Sequence, residues 1–202
     1  MREQRGRLTG SNSVTGTATV LPDHLLWARR RADSLSAVPY SPFFLLEVCD
    51  DAPGLARVAH LSVDEVARRR EHGNRPYVAR VGHRIVSYGW CCQGTAEWSG
   101  RNLTLSVEGG HRYLWDFATV PEWRGHGLYP MLIAWIVRSE RRGQIFWIIH
   151  DRENDASQRG IVKAGFQCVA ALYDQPGGRV RLGGSGDSEL LQLARVVFRD
   201  LF

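Results

Sequence analysis

Two apolar runs stand out in the second half of the chain. Tyr113-Leu-Trp-Asp-Phe-Ala-Thr-Val120 is aromatic and β-branched with a single charge, and Gln144-Ile-Phe-Trp-Ile-Ile-His150 is apolar almost without interruption. Both read as strands, the second covered on both faces. Between them Leu128, Met131, Leu132, Trp135 and Ile136 recur at helical spacing, with Pro130 in the first turn, where its missing N–H breaks no bond. Strand, helix and strand predict a right-handed βαβ unit with parallel strands. A second helix is expected from near Asn154 to Lys163-Ala-Gly-Phe166, with the glycine as its stop.

The rest of the pattern is shorter in range. Pro22 to Asp33 reads as a helix with Leu25, Leu26 and Trp27 on one side, and Pro42 to Cys49 as the first strand, closed by the turn signal Asp50-Asp-Ala-Pro-Gly. Ser62-Val-Asp-Glu65 has capping-box spacing, in which Glu65 reaches back to the serine amide, and opens a helix to about His72. Tyr77–Val81 and Arg84–Trp90 read as a β-hairpin turning at Gly82-His83. Asn102 to Val107 alternates as a further strand, and the loop before it places Glu97 and Trp98 where they can line a pocket or simply anchor the loop. Gln167–Tyr173 and Arg179–Leu182 read as a hairpin around Asp174-Gln-Pro-Gly-Gly178. Ser188 to Phe202 carries an apolar face, predicting a helix that docks on the body or on a second subunit as a homodimer contact.

The turn between the first long strand and its helix, Val120-Pro-Glu-Trp-Arg-Gly-His-Gly-Leu-Tyr129, suggests chemistry. The first amides of a helix have no intrahelical partner and sit at the positive end of its dipole, so they can donate together to a phosphate. Gly125 and Gly127 let backbone approach closely, and Arg124 adds charge. Glycines before helices also serve as plain connectors.

Arg124-Gly-His-Gly-Leu-Tyr129 resembles the R-x-x-G-x-G/A pyrophosphate loop of the GNAT superfamily of N-acetyltransferases. Asn154-Asp-Ala-Ser157 followed by Lys163-Ala-Gly-Phe166 resembles that family's second motif, in the same order and at the same separation. The resemblance spans about residues 113–166. It implies an α/β fold, GNAT-like, with a mixed and mostly antiparallel sheet around the central parallel βαβ unit and flanking helices. It also implies acetyl-CoA, or another short acyl-CoA, as co-substrate. The pantetheine arm would lie between the splayed ends of the parallel strands beside Phe117, Thr119 and Val120. The pyrophosphate would meet the amides of Arg124, Gly125, His126, Gly127, Leu128 and Tyr129, and Asn154 and Ser157 would approach from the following helix. Asn154 is equally a good N-cap. Two positions depart from the pattern: Tyr129 stands where the family has Gly or Ala, and Ile161 where many members carry the tyrosine that protonates the departing thiolate. An early helix in that family helps form the acceptor groove, which would give residues 22–33 that role.

Acyl transfer to an amine requires the thioester to be held and the amine to be neutral. His150, at the end of the second parallel strand, has an imidazole suited to proton transfer near neutrality, and Asp116 is the lone carboxylate on the first. Each is also explained by hydrogen bonding alone, and Tyr173 offers a phenol from the last hairpin. The reaction class expected is an N-acyltransferase acting on a small-molecule or peptide amine by direct attack. A malonyl-type thioester decarboxylase using Thr119 and His150, and a non-catalytic CoA-binding module, are the other readings the same residues allow.

Length and charge refine this picture. The 202 residues suit one domain over 21–202 behind a flexible tail at 1–20, rich in Gly, Ser, Thr and Arg. No apolar run is long enough to span a bilayer, and no secretory pattern follows the basic start. The net charge of +5 is spread along the chain rather than concentrated in a stripe, so a polyanionic cofactor suffices as partner, with no nucleic acid and no membrane required. The four cysteines lack metal-type spacing and read as free thiols in a reducing cytoplasm, with no metal expected.

Overall fold

The computed structural model describes residues 21–34, 38–98, 103–184 and 188–202, so the tail expected over 1–20 lies outside the described residues. In chain order the strands are β1 (His24–Arg30), β2 (Leu45–Val48), β3 (Asn74–Val81), β4 (Arg84–Cys92), β5 (Thr95–Trp98), β6 (Leu103–Ser106), β7 (His111–Thr119), β8 (Ile145–Asp151), β9 (Gln167–Asp174) and β10 (Val180–Gly184). Eight of them form one sheet in the order β10-β9-β1-β8-β7-β4-β3-β2, and β5 and β6 pair as a separate ribbon. Only β7 and β8 run parallel; the other described pairs are antiparallel.

Helices α1 (Ala52–Ala59), α2 (Val63–Glu71) and α5 (Ser188–Val197) share one core with the β5–β6 ribbon, through Leu55, Val66, Leu190 and Trp98. Helices α3 (Leu128–Ser139) and α4 (Asp155–Lys163) close the other face through Leu128, Leu132, Ile136 and Ile161. The expected mixed, mostly antiparallel sheet with a parallel βαβ unit is therefore present. Pro130 lies in the first turn of α3 as expected.

Residues 22–33, expected as a helix, instead carry strand β1 at His24–Arg30, inserted between β8 and β9. Leu26 and Ala28 enter one core and Trp27 the other, so the segment is apolar on both sides and offers no period-2 signal. Even Arg29 is buried, its guanidinium donating to the carbonyls of Ala164, Asp33 and Ser34. Helix α1 is a second correction. The Asp50-Asp-Ala-Pro-Gly signal starts a helix, because Asp51 accepts from the Gly54 amide at 2.8 Å and Pro53 occupies the first turn. At α2, Ser62 caps as expected, accepting from the Glu65 amide at 3.0 Å, but the Glu65 carboxylate turns to Arg68 and Arg69 instead of reaching back. Glu97 and Trp98, assigned to a loop, belong to β5.

Buried charge fastens the far end of α3. Glu140 accepts from Tyr77 Oη at 2.5 Å, Arg75 Nη1 at 3.0 Å and Arg112 Nε at 3.2 Å, joining the helix end to β3 and β7. Arg31 adds bonds to the carbonyls of Val137 and Glu140. Burial and the adjacent carboxylate push the Tyr77 phenol well above its ordinary value, so it remains a donor.

Candidate active site

Strands β7 and β8 pair from His111–Ile145 to Leu114–Ile148 and no further, although both continue. Beyond Leu114 no ladder joins the two strands, and the unpaired interval between their C-terminal ends forms the candidate cleft. The cause lies in β7, where Trp115 faces Trp90 and Ala118 faces Tyr88, so β7 carries one residue more than β4 across this interval. Such a bulge bends its strand and ends regular pairing. Asp116 sits in the bulge at φ 47°, and the Phe117 ring occupies the hollow over Gly89, where a Cβ would come 2.0 Å from it.

From the end of β7 the chain makes a short 3-10 turn, Pro121–Trp123, and enters α3 through Gly125 and Gly127, with φ of 81° and 73°. Open space surrounds both glycines. The first recorded bond of the helix is from the Met131 amide to the Gly127 carbonyl. Among the described residues nothing accepts from the amides of Gly125, His126, Gly127, Leu128 or Tyr129. Those donors, with exposed Arg124 beside them, fit a diphosphate. Arg124 folds back to the Thr119 carbonyl at 3.2 Å, and His126 Nδ1 lies 3.0 Å from the Arg124 carbonyl with its ring beside Trp123.

The remaining site residues divide into engaged and open groups. Val120 donates to the Val86 carbonyl and accepts from the Trp123 amide, so its N–H is not open to a ligand. Thr119 Oγ1 meets Ser87 Oγ at 2.9 Å. Asn154 caps α4 by accepting from the Ser157 amide at 3.0 Å, and Ser157 Oγ meets the Tyr129 hydroxyl at 3.0 Å. Tyr129 leans across the end of the cleft from α3 to α4. Its ring lies 5.2 Å from that of Phe117 and against Gly160, where a Cβ would fall 2.3 Å away. Burial pushes its phenol up to about 12. Ile161 is fully buried in the core of the α3 and α4 face.

The two candidate bases lie on opposite faces of the sheet. Asp116 is paired with Arg69 of α2, Nη1 to Oδ2 at 2.5 Å. His150 packs beside Trp27 under α3 and α4, its Nδ1 2.7 Å from the Asp151 carbonyl and its buried Nε2 without a partner among the described residues. Burial, and then the nearby His24, hold its imidazole below the ordinary value, against the opposing pull of Asp151. Tyr173, on β9, is stacked under Arg181, whose guanidinium lies 4.0 Å from the ring centre.

A further pair went unseen in the sequence. His24 Nδ1 meets Asp151 Oδ1 at 2.8 Å, its Nε2 lies 3.4 Å from Asp174 Oδ1, and the Asp151 side chain is 74% exposed. Reading residues 22–33 as a helix hid it, since only the strand register sets His24 opposite Asp151. A cavity of about 160 Å³ also lies over Trp115 on the α2 face, lined by Arg68, Arg69, His72, Asn74 and Glu97 among others. Among the described residues no cluster of His, Cys, Asp and Glu is arranged to hold a metal, and no helix is long and apolar enough to cross a membrane.

Residues 43–166 match the acetyltransferase (GNAT) family. The chain belongs to that family. Among solved structures, one from Novosphingobium aromaticivorans, described as a GNAT-family acetyltransferase, superposes with a TM-score of 0.52 at 17% identity, over 83% of this chain and 67% of that one. A GNAT-family acetyltransferase from Colwellia psychrerythraea gives a TM-score of 0.50 at 12% identity, over 73% of this chain and 53% of that one. At these identities the likeness is one of fold, and this GNAT chain spans about two thirds of the first and half of the second. No curated protein matches it.

Proposed function

We propose that the protein transfers an acetyl or similarly short acyl group from its CoA ester to an amine on a small molecule or peptide. The observation carrying this reading is the parting of β7 and β8 after Leu114–Ile148 directly beside the run of unpartnered amides at Gly125 to Tyr129. A diphosphate meets the amides and Arg124, and the thioester arm enters the cleft alongside Phe117 and Thr119. Asn154 and Ser157 border it from α4. The reaction forms a C–N bond and breaks the C–S bond, so the amine gives up a proton and the sulfur gains one.

The acceptor approaches from the α2 face, where the 160 Å³ cavity adjoins the bulge. Asp116, paired with Arg69 of the cavity wall, receives the proton through water, while His150 lies at the end of β8 as a neutral imidazole. Held amine and thioester, with fixed backbone dipoles at the carbonyl, supply much of the acceleration. The four described cysteines are free, which suits work in a reducing cytoplasm. Calorimetry with acetyl-CoA, followed by thiol release over a panel of amines, tests the reading. Absence of binding removes it; binding without turnover on any amine reduces the protein to a CoA-binding module.

A further inference from the structure

Three features unique to neither the cradle nor the cofactor motifs meet at the point where β7 leaves β8. Asp116 and His60 are the non-glycine residues described with positive φ, and Asp116, at 47°, lies inside a strand. A left-handed backbone is unfavourable for a residue with a Cβ and persists where its surroundings hold it. The bulge begins one residue after β7 stops pairing with β8. What holds Asp116 comes from α2, a helix on the opposite face from the amide cradle.

Arg69 is built for that task. Its Nη1 reaches Asp116 Oδ2 at 2.5 Å, its Nε reaches Glu65 Oε1 at 2.8 Å, and its guanidinium carbon sits 4.6 Å from the Trp115 ring centre and 5.2 Å from that of Trp90. The side chains of Arg69 and Asp116 are 12% and 24% exposed, so the pair is shielded rather than a solvated surface contact. Glu65 is itself fixed by the Ser62 cap and by Arg68, which ties the guanidinium to the first turn of α2. Tyr88 Oη adds a longer contact to Asp116 Oδ1 at 3.4 Å.

We propose that Arg69 is a positioning residue: its ion pair keeps Asp116 in the left-handed bulge that turns β7 away from β8, and so sets how well the cleft takes the thioester arm. The role in ligand binding rests on the acyl-CoA reading given above; the role in holding the bulge does not. Arg69 also lines the 160 Å³ cavity, so an acceptor seated there presses on the same clamp that shapes the cleft.

Two variants test it. Arg69→Met removes the ion pair but keeps an apolar stem against the two indoles, and Asp116→Gly in the same chain lets the backbone hold a positive φ without a clamp. Hydrogen exchange is followed at the amides of residues 115–119, and calorimetry compares acetyl-CoA with adenosine 3′,5′-bisphosphate, which lacks the arm. Arg69→Met is expected to speed exchange at these amides about ten-fold. It weakens acetyl-CoA about ten-fold and leaves the bisphosphate within about two-fold. Adding Asp116→Gly restores both readouts, which a merely structural arginine would not show. Unchanged exchange, equal weakening of both ligands, or no restoration by glycine overturns the proposal. Should Arg69→Met fail to fold, Arg69→Lys replaces it, with the same changes smaller in size and the same rescue. If the unaltered protein binds neither ligand, the acyl-CoA reading falls, and exchange alone decides whether the clamp exists.

Discussion

Replacing Glu140 with Met should be among the most damaging single changes outside the site. The Glu140 side chain is 6% exposed and that of its buried partner Arg112 4%, and the carboxylate satisfies three donors at once. Removing one member of a buried pair leaves the other charge uncompensated, at about 3–5 kcal/mol. Arg112 keeps its bonds to the carbonyls of Gly109 and His111, and Arg75 is half exposed and can turn to water, which sets the lower part of that range. The double variant Glu140→Met with Arg112→Met removes both charges. Its remaining cost is the unpaired Tyr77 hydroxyl, about 1–3 kcal/mol. Adding Tyr77→Phe removes the last orphan and brings stability to within about 1 kcal/mol of the parent. Urea unfolding at neutral pH, fitted with a common m-value, measures all three. A single variant costing under about 1 kcal/mol, or a double variant costing the sum of its singles, would refute the reasoning. Because this network anchors the far end of the helix that presents the amide cradle, Glu140→Met should also weaken acetyl-CoA binding without touching a ligand-facing residue.

Three further outcomes are expected. Gly160→Ala would ordinarily stabilise a helix by about 1 kcal/mol, yet here the Cβ meets the Tyr129 ring, so thermal unfolding should fall instead and acetyl-CoA affinity with it. Asn154→Ala loses the α4 cap at about 1 kcal/mol, whereas Asn154→Asp keeps it; an acetyl-CoA defect in both variants marks a direct contact of the amide group, and a defect in the alanine variant alone marks a capping role. His150 is held below the ordinary imidazole value of 6.5 by burial. Its contribution to stability is therefore complete above 6.5 and lost as pH falls through the lowered value, and His150→Gln should flatten that decline in pH-dependent melts. An acidic limb of kcat/KM below 6.5 that disappears in the same variant would assign the substrate proton to His150 rather than Asp116.

The stretch from β7 to α4 was legible because each of its signals is local: an aromatic strand, a glycine turn, a proline in the first helical turn, an asparagine cap. Helix α1 was missed because an aspartate followed by proline and glycine begins a turn and a helix alike, and only continuation of the chain distinguishes them. Strand β1 was misread because a strand buried on both sides has no alternation, and its buried Arg29 imitates a polar helix face. The clamp of Arg69 on Asp116 joins residues 47 apart in the chain, and the His24–Asp151 pair joins residues 127 apart; neither leaves a trace in local spacing. The engagement of Val120 by Val86 was equally invisible, as it depends on the register of β4 against β7. Family resemblance pointed to the glycine turn as the cradle but said nothing of what shapes the strands beside it.

The position of β1 has a consequence for how the protein is made. His24 lies opposite Asp151 on one side and Leu172 on the other, so the earliest described strand has no seat until two much later ones have left the ribosome. Until then the nascent chain must carry a Leu-Leu-Trp segment with no partner, a natural target for holding chaperones, while β8 and β9 wait as two bare edges. Closure of the sheet is thereby a late event with large loops to span, and refolding should be slow for a chain of this size.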